Sequence, residues 1–190
     1  MEGLISRLAA YMQSLGLGID VEKDFNSRLK LQKIAFIVGN LIEDKEILSL
    51  NFSLYLNGPY STQLADLYYE KKDVFSKGLI HKLSPCESEV LEKLKHLGSL
   101  SPERLEALAT VFFLLKKGNV DWLGMVDAIK EAKPKLSLEQ IVTAINDAKV
   151  LLITIEKVES FKKEMRTESE FWDRLSALTL IKTEEENKNN

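Results

Sequence analysis

The sequence predicts a mainly α fold with a small β element, a helix-rich α+β class. We expect one multi-helix globular domain with a short strand or hairpin near residues 50–57 and a C-terminal helical extension. Apolar residues recur at three- and four-residue steps through most of the chain, which is the spacing of one helix face. Only the run FSLYL, residues 52–56, alternates as a strand does, and the turn-forming residues NGP, 57–59, follow it directly.

The bulk composition is that of an ordinary globular protein. The chain has 190 residues, of which 45% are hydrophobic and 29% charged, enough for one domain with or without a helical extension. A formal net charge of -3 disfavours wholesale binding to nucleic acid. No apolar run approaches the roughly 18 residues that span a bilayer, the first residues lack a secretory pattern, and the single cysteine fits a reducing compartment. We therefore expect a cytoplasmic protein that does not enter a membrane.

Helix starts are marked by residues that cap a first turn. Ser84 is followed by proline and, three residues after the cap, by Glu87; Ser101 is also followed by proline. Ser137 and Thr167 begin two further capping-box patterns. Together with the apolar spacing, these signals predict helices at about 2–15, 27–42, 61–71, 84–97, 101–117, 120–132, 137–164 and 168–179.

The second predicted helix is apolar around most of its circumference, which is typical of a helix packed by neighbours on several sides. Lys30 and Lys33 share one edge of this helix. They either present a small positive patch or, as we favour, extend to solvent beside the core. The main apolar stripe consists of Leu31, Ile34, Ala35, Val38, Leu41 and Ile42.

The patterns divide the chain into a globular domain at 1–149, a helical extension at 150–182 and a disordered polar tail at 183–190. The helix predicted at 137–164 is long, and its β-branched run at 150–155 favours a break. The prediction for residues 137–164 is therefore either one helix or two. The extension either packs back on the domain, which we favour, or forms the seam of a homodimer.

No constellation of residues indicates catalysis or a cofactor. His81, Cys86 and His96 lack the paired spacing of a zinc site. We expect surface histidines and a small buried thiol, and no metal. The sequence GLG at 16–18 follows a helix and lacks the third glycine of a nucleotide-binding loop, which indicates a helix C-cap. Acidic residues are scattered over helix faces, so the sequence predicts a protein that is not an enzyme.

The Gly58-Pro59 step is the most distinctive local feature. Proline has a fixed φ and no N–H, so we predict that the strand ends there and the chain turns. Ser61 then caps the next helix, whose first N–H groups have no helical partner and are available to an anion or an acidic side chain. The turn is either a binding feature with Tyr60 exposed or, as we favour, a device that redirects the chain while Tyr60 covers the core.

The sequence RLKLQKIAFIVG at 28–39, followed by a short strand and YLNGPYSTQLADLYY at 55–69, resembles the YwgA-like group of uncharacterised proteins. More distantly, it is similar to the Panacea domain of SocA-like antitoxins. A weaker match to the YwgA-like group covers residues 105–118 and 132–149. The tryptophan usual before the Panacea turn is replaced here by YLN at 55–57, so the YwgA-like match is the better one. The matching positions are Lys30, Leu31, Gln32, Lys33, Tyr55, Gly58, Pro59, Tyr60 and Ser61.

This resemblance implies a compact helical domain with a small β element that acts by binding, since Panacea antitoxins neutralise protein toxins. The leading hypothesis is therefore an uncharacterised, non-catalytic protein-interaction module with an antitoxin-like or regulatory role. Its partner would be another protein of unknown identity. The candidate binding residues are Lys30, Lys33, Tyr55, Gly58, Pro59, Tyr60 and Ser61.

Two alternatives to this hypothesis stay open. The first is a winged-helix-like nucleic-acid-binding regulator, which the acidic balance of the chain does not favour. Its phosphate face would consist of Arg28, Lys30, Lys33, Lys71 and Lys72. The second is an enzyme with a site assembled from distant residues, for which a pocket that gathers Lys33, Tyr60 and a carboxylate would be the sign.

Overall fold

The computed structural model describes residues 2–22, 24–77, 81–118, 120–122 and 124–156. It confirms the mainly α class with a small β element. The helices are α1 (Glu2–Ser14), α2 (Phe25–Leu41), α3 (Lys45–Leu48), α4 (Thr62–Glu70), α5 (Lys72–Lys77), α6 (Pro85–Lys93), α7 (Pro102–Lys117) and α8 (Met125–Ala132), with a 3-10 helix at Lys95–Ser99. A further helix, α9, begins at residue 138 and is described to residue 156. The strands are β1 (Ser53–Tyr55) and β2 (Gly58–Tyr60).

The chain forms two compact units, Met1–Leu152 and Ile153–Asn190. Of the second unit, the structure describes only residues 153–156, which are helical. The predicted helix at 168–179, the predicted tail at 183–190 and the part of the predicted extension after residue 156 lie outside the described residues. The two arrangements predicted for the extension therefore both stay predictions. Within the described ranges, no helix combines the length and the apolar character needed to cross a bilayer.

Helix α2 is the central helix of the first unit, as its apolar circumference predicts. It contacts α1, α3, α7 and β2. The Asp24 side chain caps it by accepting the N–H groups of Asn26 and Ser27, both at 2.9 Å. The fully buried apolar residues of the helix include Leu31, Ile34, Ala35, Ile37 and Val38. These side chains form the middle of the hydrophobic core.

The helix caps follow the sequence signals closely. Ser84 Oγ accepts the N–H of Glu87 at 3.2 Å while the Glu87 carboxylate accepts the Ser84 N–H at 2.8 Å, a complete capping box. Ser137 and Gln140 form the same reciprocal pair at the start of α9. Ser101 caps α7. The third predicted capping box, at 167–170, lies outside the described residues.

The predicted C-cap of α1 is also confirmed. Gly16 has a φ of 74°, a left-handed conformation that glycine adopts without the steric cost of a Cβ. Its N–H donates to the Gln13 carbonyl and the Leu17 N–H donates to the Met12 carbonyl, both at 2.9 Å. This pair of bonds is the Schellman motif. The GLG sequence is therefore a helix end.

The hairpin corrects the prediction at Gly58-Pro59. These residues do not form the turn: Gly58–Tyr60 is the second strand, antiparallel to β1, and the turn consists of Leu56 and Asn57. Tyr55 pairs with Gly58 across this two-residue turn, and Pro59 pairs with Leu54. In such a hairpin the pair next to the turn exchanges hydrogen bonds and the following pair does not. Proline is tolerated in the strand because its position requires no N–H from it.

Several helix boundaries differ from the prediction. The short helices α3 and α5 were not expected, and the helix expected at 120–132 begins only at Met125. The helix expected at 84–97 ends at Lys93 and is followed by the 3-10 turn, which brings Gly98 against the backbone carbonyl of Leu15, where a Cβ would not fit. Tertiary contact therefore decides where this helix stops.

Helix α9 is continuous through the β-branched run at 150–155. The break that this run favours does not occur within the described residues. One face of the helix is buried through Ile141, Ala144, Ala148 and Leu151. Packing of an amphipathic face outweighs the modest loss of helix propensity that β-branched residues cause.

Candidate functional site

A groove of 430 Å³ lies where the start of α2, the hairpin and α4 meet. Helix α2 contributes Phe25 and Arg28 to its lining, the hairpin contributes Tyr55 and Leu56, and α4 contributes Tyr69. Each of these residues lies at the beginning, the tip or the end of its element, where the chain leaves the core. We name this site the hairpin groove.

The rim of the hairpin groove is apolar and open to solvent. Phe25 is 57% exposed, Tyr55 55%, Leu56 80% and Tyr69 51%. Single exposed apolar residues are normal on a protein surface, but large apolar side chains gathered around one concavity favour contact with another molecule. The rings of Tyr55 and Tyr60 pack edge to face with centroids 5.5 Å apart, so part of this wall is already ordered.

The charge of the groove lining is positive. Arg28 and Lys33 are the charged residues among those that line it, and no carboxylate does so within the described part of the chain. Arg28 Nη1 donates to the backbone carbonyls of Val21 and Glu22 at 3.0 and 3.3 Å. Its guanidinium lies 5.8 Å from the centroid of the Phe25 ring, within the range of a cation–π contact.

Lys33 lies at the bottom of the groove and is only 2% exposed. Its Nζ donates a hydrogen bond to the Pro59 carbonyl at 2.7 Å. Burial lowers the pKa of Lys33 to about 8; the nearby Glu106 carboxylate opposes this shift and the charge of Lys133 reinforces it. Lys33 is thus an interior cation held under the hairpin.

Gln32, the preceding residue, binds the backbone of Ser61 in both directions. Its Nε2 donates to the Ser61 carbonyl at 2.9 Å, and its Oε1 accepts the Ser61 N–H at 3.0 Å. The hydroxyl of Ser61 donates to the Leu50 carbonyl and accepts the Leu64 N–H at 3.1 Å. The predicted cap of α4 is therefore confirmed, and the N–H groups of Ser61 and Leu64 are already engaged inside the protein.

A second lysine fixes the tip of the hairpin from the other side. Lys133 Nζ donates to the carbonyls of Tyr55 and Leu56, the first at 2.6 Å, and lies 3.0 Å from Glu106 Oε1. Only 6% of the Lys133 side chain is exposed. All three N–H donors of the ammonium are thereby used. Lys133 consequently fixes the part of the backbone that carries two exposed side chains of the groove rim.

The seven predicted binding residues fall into three groups. Lys33, Tyr55, Gly58 and Tyr60 line the hairpin groove. Pro59 and Ser61 are buried. Lys30 lies apart, with its Nζ 3.4 Å from the Gly98 carbonyl.

The predicted pairing of Lys30 and Lys33 on one solvent-facing edge is wrong. Lys33 is buried, and its ammonium group donates to a backbone carbonyl that no strand of the described residues pairs with. The favoured alternative, extension of Lys33 to solvent, is wrong for the same reason. Lys33 therefore cannot contribute to the predicted phosphate face, and Lys72 of that face forms an ion pair with Glu22.

The groove contains two of the three groups whose combination would indicate an enzyme. Lys33 and Tyr60 do line the same groove, but Glu106, the carboxylate that acts on Lys33, is paired with Lys133 and lines a different cavity. Among the described residues there is no group of three or more histidine, cysteine or acidic side chains placed to hold a metal ion. Cys86 is exposed, so the expected buried thiol is wrong.

Sequence reasoning did not place Phe25, Leu56, Tyr69 or Lys133 among the candidate binding residues. Phe25 follows the capping Asp24 directly at the start of α2, and the helix predicted at 27–42 did not include it. Leu56 is exposed because it occupies the two-residue turn, which was assigned to the following residues. Lys133 acts 77 residues away from Leu56, and no local pattern reports that contact.

No family model, no curated protein and no solved structure matches the chain. The similarity to the YwgA-like group and to the Panacea domain therefore stays a hypothesis. The residues that carry this similarity have a structural explanation in this chain. Gln32 of the first segment binds the Ser61 carbonyl of the second, and Lys33 binds the Pro59 carbonyl.

Proposed function

We propose that the chain is a non-catalytic protein-interaction module that binds another protein through the hairpin groove. The observation that supports this is the gathering of four exposed large apolar side chains, Phe25, Tyr55, Leu56 and Tyr69, around one concavity. Aromatic residues at the centre of a surface patch are the typical anchors of protein interfaces. An antitoxin-like or regulatory role and a cytoplasmic location are part of the same proposal.

The polar interior next to the groove supports binding rather than catalysis. The Lys33 ammonium is bound to Pro59, and all three donors of Lys133 are engaged. A general base or nucleophile needs a free lone pair within reach of a substrate. These lysines instead hold the hairpin in place, which keeps the apolar rim in a fixed arrangement.

The proposal is tested by placing a photo-crosslinking residue at position 56 in the full chain and irradiating it in host lysate. We expect a covalent adduct with a defined polypeptide. Combining this crosslinker with Phe25→Ser and Tyr69→Ser should abolish the adduct, because both changes remove exposed apolar area without opening the core. A crosslinker at position 150 is the matched control, since Val150 is 61% exposed and does not line the groove.

The proposal fails if position 56 yields no adduct, or if positions 56 and 150 capture the same polypeptides. It also fails if the adduct at position 56 persists at full yield in the Phe25→Ser/Tyr69→Ser background. Thermal unfolding of each variant verifies that a lost adduct reflects the surface and not the fold.

A further inference from the structure

We infer that the hairpin groove selects an acidic segment of its partner, a peptide with a large apolar side chain and a nearby carboxylate. The apolar side chain lies between Phe25, Leu56 and Tyr69, and the carboxylate binds Arg28. This inference rests on the proposed function and names the chemistry of the partner.

The apolar part of the site favours a peptide over a small molecule. Sites for small ligands enclose most of the ligand surface. Here the apolar groups are on the rim, with Leu56 80% and Phe25 57% exposed, so a bound small molecule would leave them largely in water. A peptide segment lying across the groove covers the rim and the floor together, as amphipathic segments do in hydrophobic grooves.

Arg28 supplies the charge preference. One of its nitrogens, Nη1, is held by the carbonyls of Val21 and Glu22, which fixes the guanidinium in position. Its Nη2 and Nε donate to no described residue. A guanidinium with an open edge binds a carboxylate through two parallel hydrogen bonds.

The Asp24 carboxylate, at the N-cap of the same helix, interacts electrostatically with Arg28 but forms no hydrogen bond with this edge. Asp24 lowers the net positive potential near Arg28 and its own pKa is held below the usual range, first by the Ser27 hydroxyl. Its oxygens accept the N–H groups of Asn26 and Ser27 as the cap of α2. The donors of Arg28 therefore stay available to an external carboxylate, and no acidic residue lines the groove within the described ranges.

The experiment is selection from a phage-displayed library of random short peptides on the full-length wild-type chain, followed by binding titrations with the enriched peptides. We expect enrichment of peptides that combine Trp, Phe or Leu with Asp or Glu. Replacing the acid of such a peptide by its amide should weaken binding to the wild type by about tenfold, the range for a hydrogen-bonded ion pair. The same replacement should have little effect with Arg28→Gln, because the partner of the acid is then missing.

Matched variants separate the two parts of the site. Leu56→Ser should weaken every selected peptide, whereas Val150→Ser, at an exposed apolar residue outside the groove, should weaken none. Because Arg28 also binds two carbonyls, Arg28→Gln is paired with Arg28→Lys, which keeps the charge. Arg28→Lys should retain part of the preference for acidic peptides, but it should lose the part that comes from two parallel hydrogen bonds to the carboxylate.

The outcomes distinguish this inference from the proposed function. Groove-dependent peptides without an acidic preference overturn the inference and leave the interaction module intact. A concentration-dependent dimer that Leu56→Ser dissociates overturns it in favour of a second copy of the chain. No enrichment, or peptides insensitive to Leu56→Ser, overturns the peptide assignment, and the crosslinking experiment then decides the proposed function separately.

Discussion

Lys33 Nζ lies 2.7 Å from the carbonyl oxygen of Pro59, and both groups are buried. This bond joins the central helix to the second strand of the hairpin. Together with the two bonds between Gln32 and Ser61, it gives the outer edge of residues 59–61 the partners that a third strand would provide. Two consecutive side chains of α2 therefore provide hydrogen-bond partners along one edge of the two-stranded sheet seen in the described residues. The glycine-proline segment serves the fold, and the exposed apolar rim of the hairpin groove lies beside it.

Replacing Gln32 by leucine tests this edge. Gln32→Leu keeps the approximate volume but leaves the N–H and the carbonyl of Ser61 without partners in the interior. Since each of these two buried unsatisfied groups costs about 1–3 kcal/mol, we expect the free energy of unfolding to fall by about 2–6 kcal/mol, measured by urea denaturation. Gln63→Leu, at an exposed position of α4, is the matched control and should change stability little. Equal stability of the two variants would show that Gln32 does not support the hairpin.

Gly58 tests the close approach between the hairpin and α7. Its φ is 84°, and a Cβ there would meet Lys33 Cε and Glu106 Cγ, both at 3.3 Å. Gly58→Ala combines left-handed strain with crowding, so we expect a loss of about 1–3 kcal/mol, seen as a lower thermal midpoint. Gly18→Ala is the control, because nothing lies within 4 Å of a Cβ at that position and its φ is not positive. If both alanine variants melt together, the backbone at Gly58 is not constrained as described.

The features that were predictable from the sequence are those with short-range causes. The caps at Ser84 and Ser137 and the helix end at Gly16 depend on residues within one or two turns. The central position of α2 followed from its own apolar circumference. The predicted helix boundaries were wrong where contact with a distant part of the backbone determines the helix end. Gly98, which packs against Leu15, is an example.

The candidate site was only partly predictable, for the same reason. Tyr55 and Tyr60 were found because they flank a recognisable glycine-proline step. The burial of Lys33 was not, since a lysine near an apolar stripe ordinarily extends to solvent, and its hydrogen-bond partner is 26 residues away. A strand-edge carbonyl that needs a hydrogen-bond donor can be recognised only from the tertiary structure. The sequence contains the Lys33 side chain and the Pro59 carbonyl, but only the tertiary structure shows that they form a hydrogen bond.

The burial of Lys33 predicts a specific dependence of stability on pH. Its pKa is about 8 in the folded chain, against 10.5 for an unburied lysine. Between these two pH values the unfolded chain binds more protons than the folded chain at this residue, so the free energy of unfolding rises with pH there. Below pH 8 both states carry the proton, and the cost of the buried charge is fully present and constant.

The measurement compares wild type with Lys33→Met by urea denaturation at a pH just below 8 and at one near 10.5. Tyrosines and other lysines also titrate in this range, but their contributions largely cancel between the two proteins. We expect the wild type to gain about 3 kcal/mol or somewhat less relative to Lys33→Met, since one unit of pKa shift corresponds to about 1.4 kcal/mol. Lys30→Met, at a half-buried position of the same helix, is the matched control for the removal of one lysine. A stability difference that stays constant or shrinks with rising pH would mean that Lys33 is hydrated in solution, and its bond to Pro59 would then not hold the hairpin.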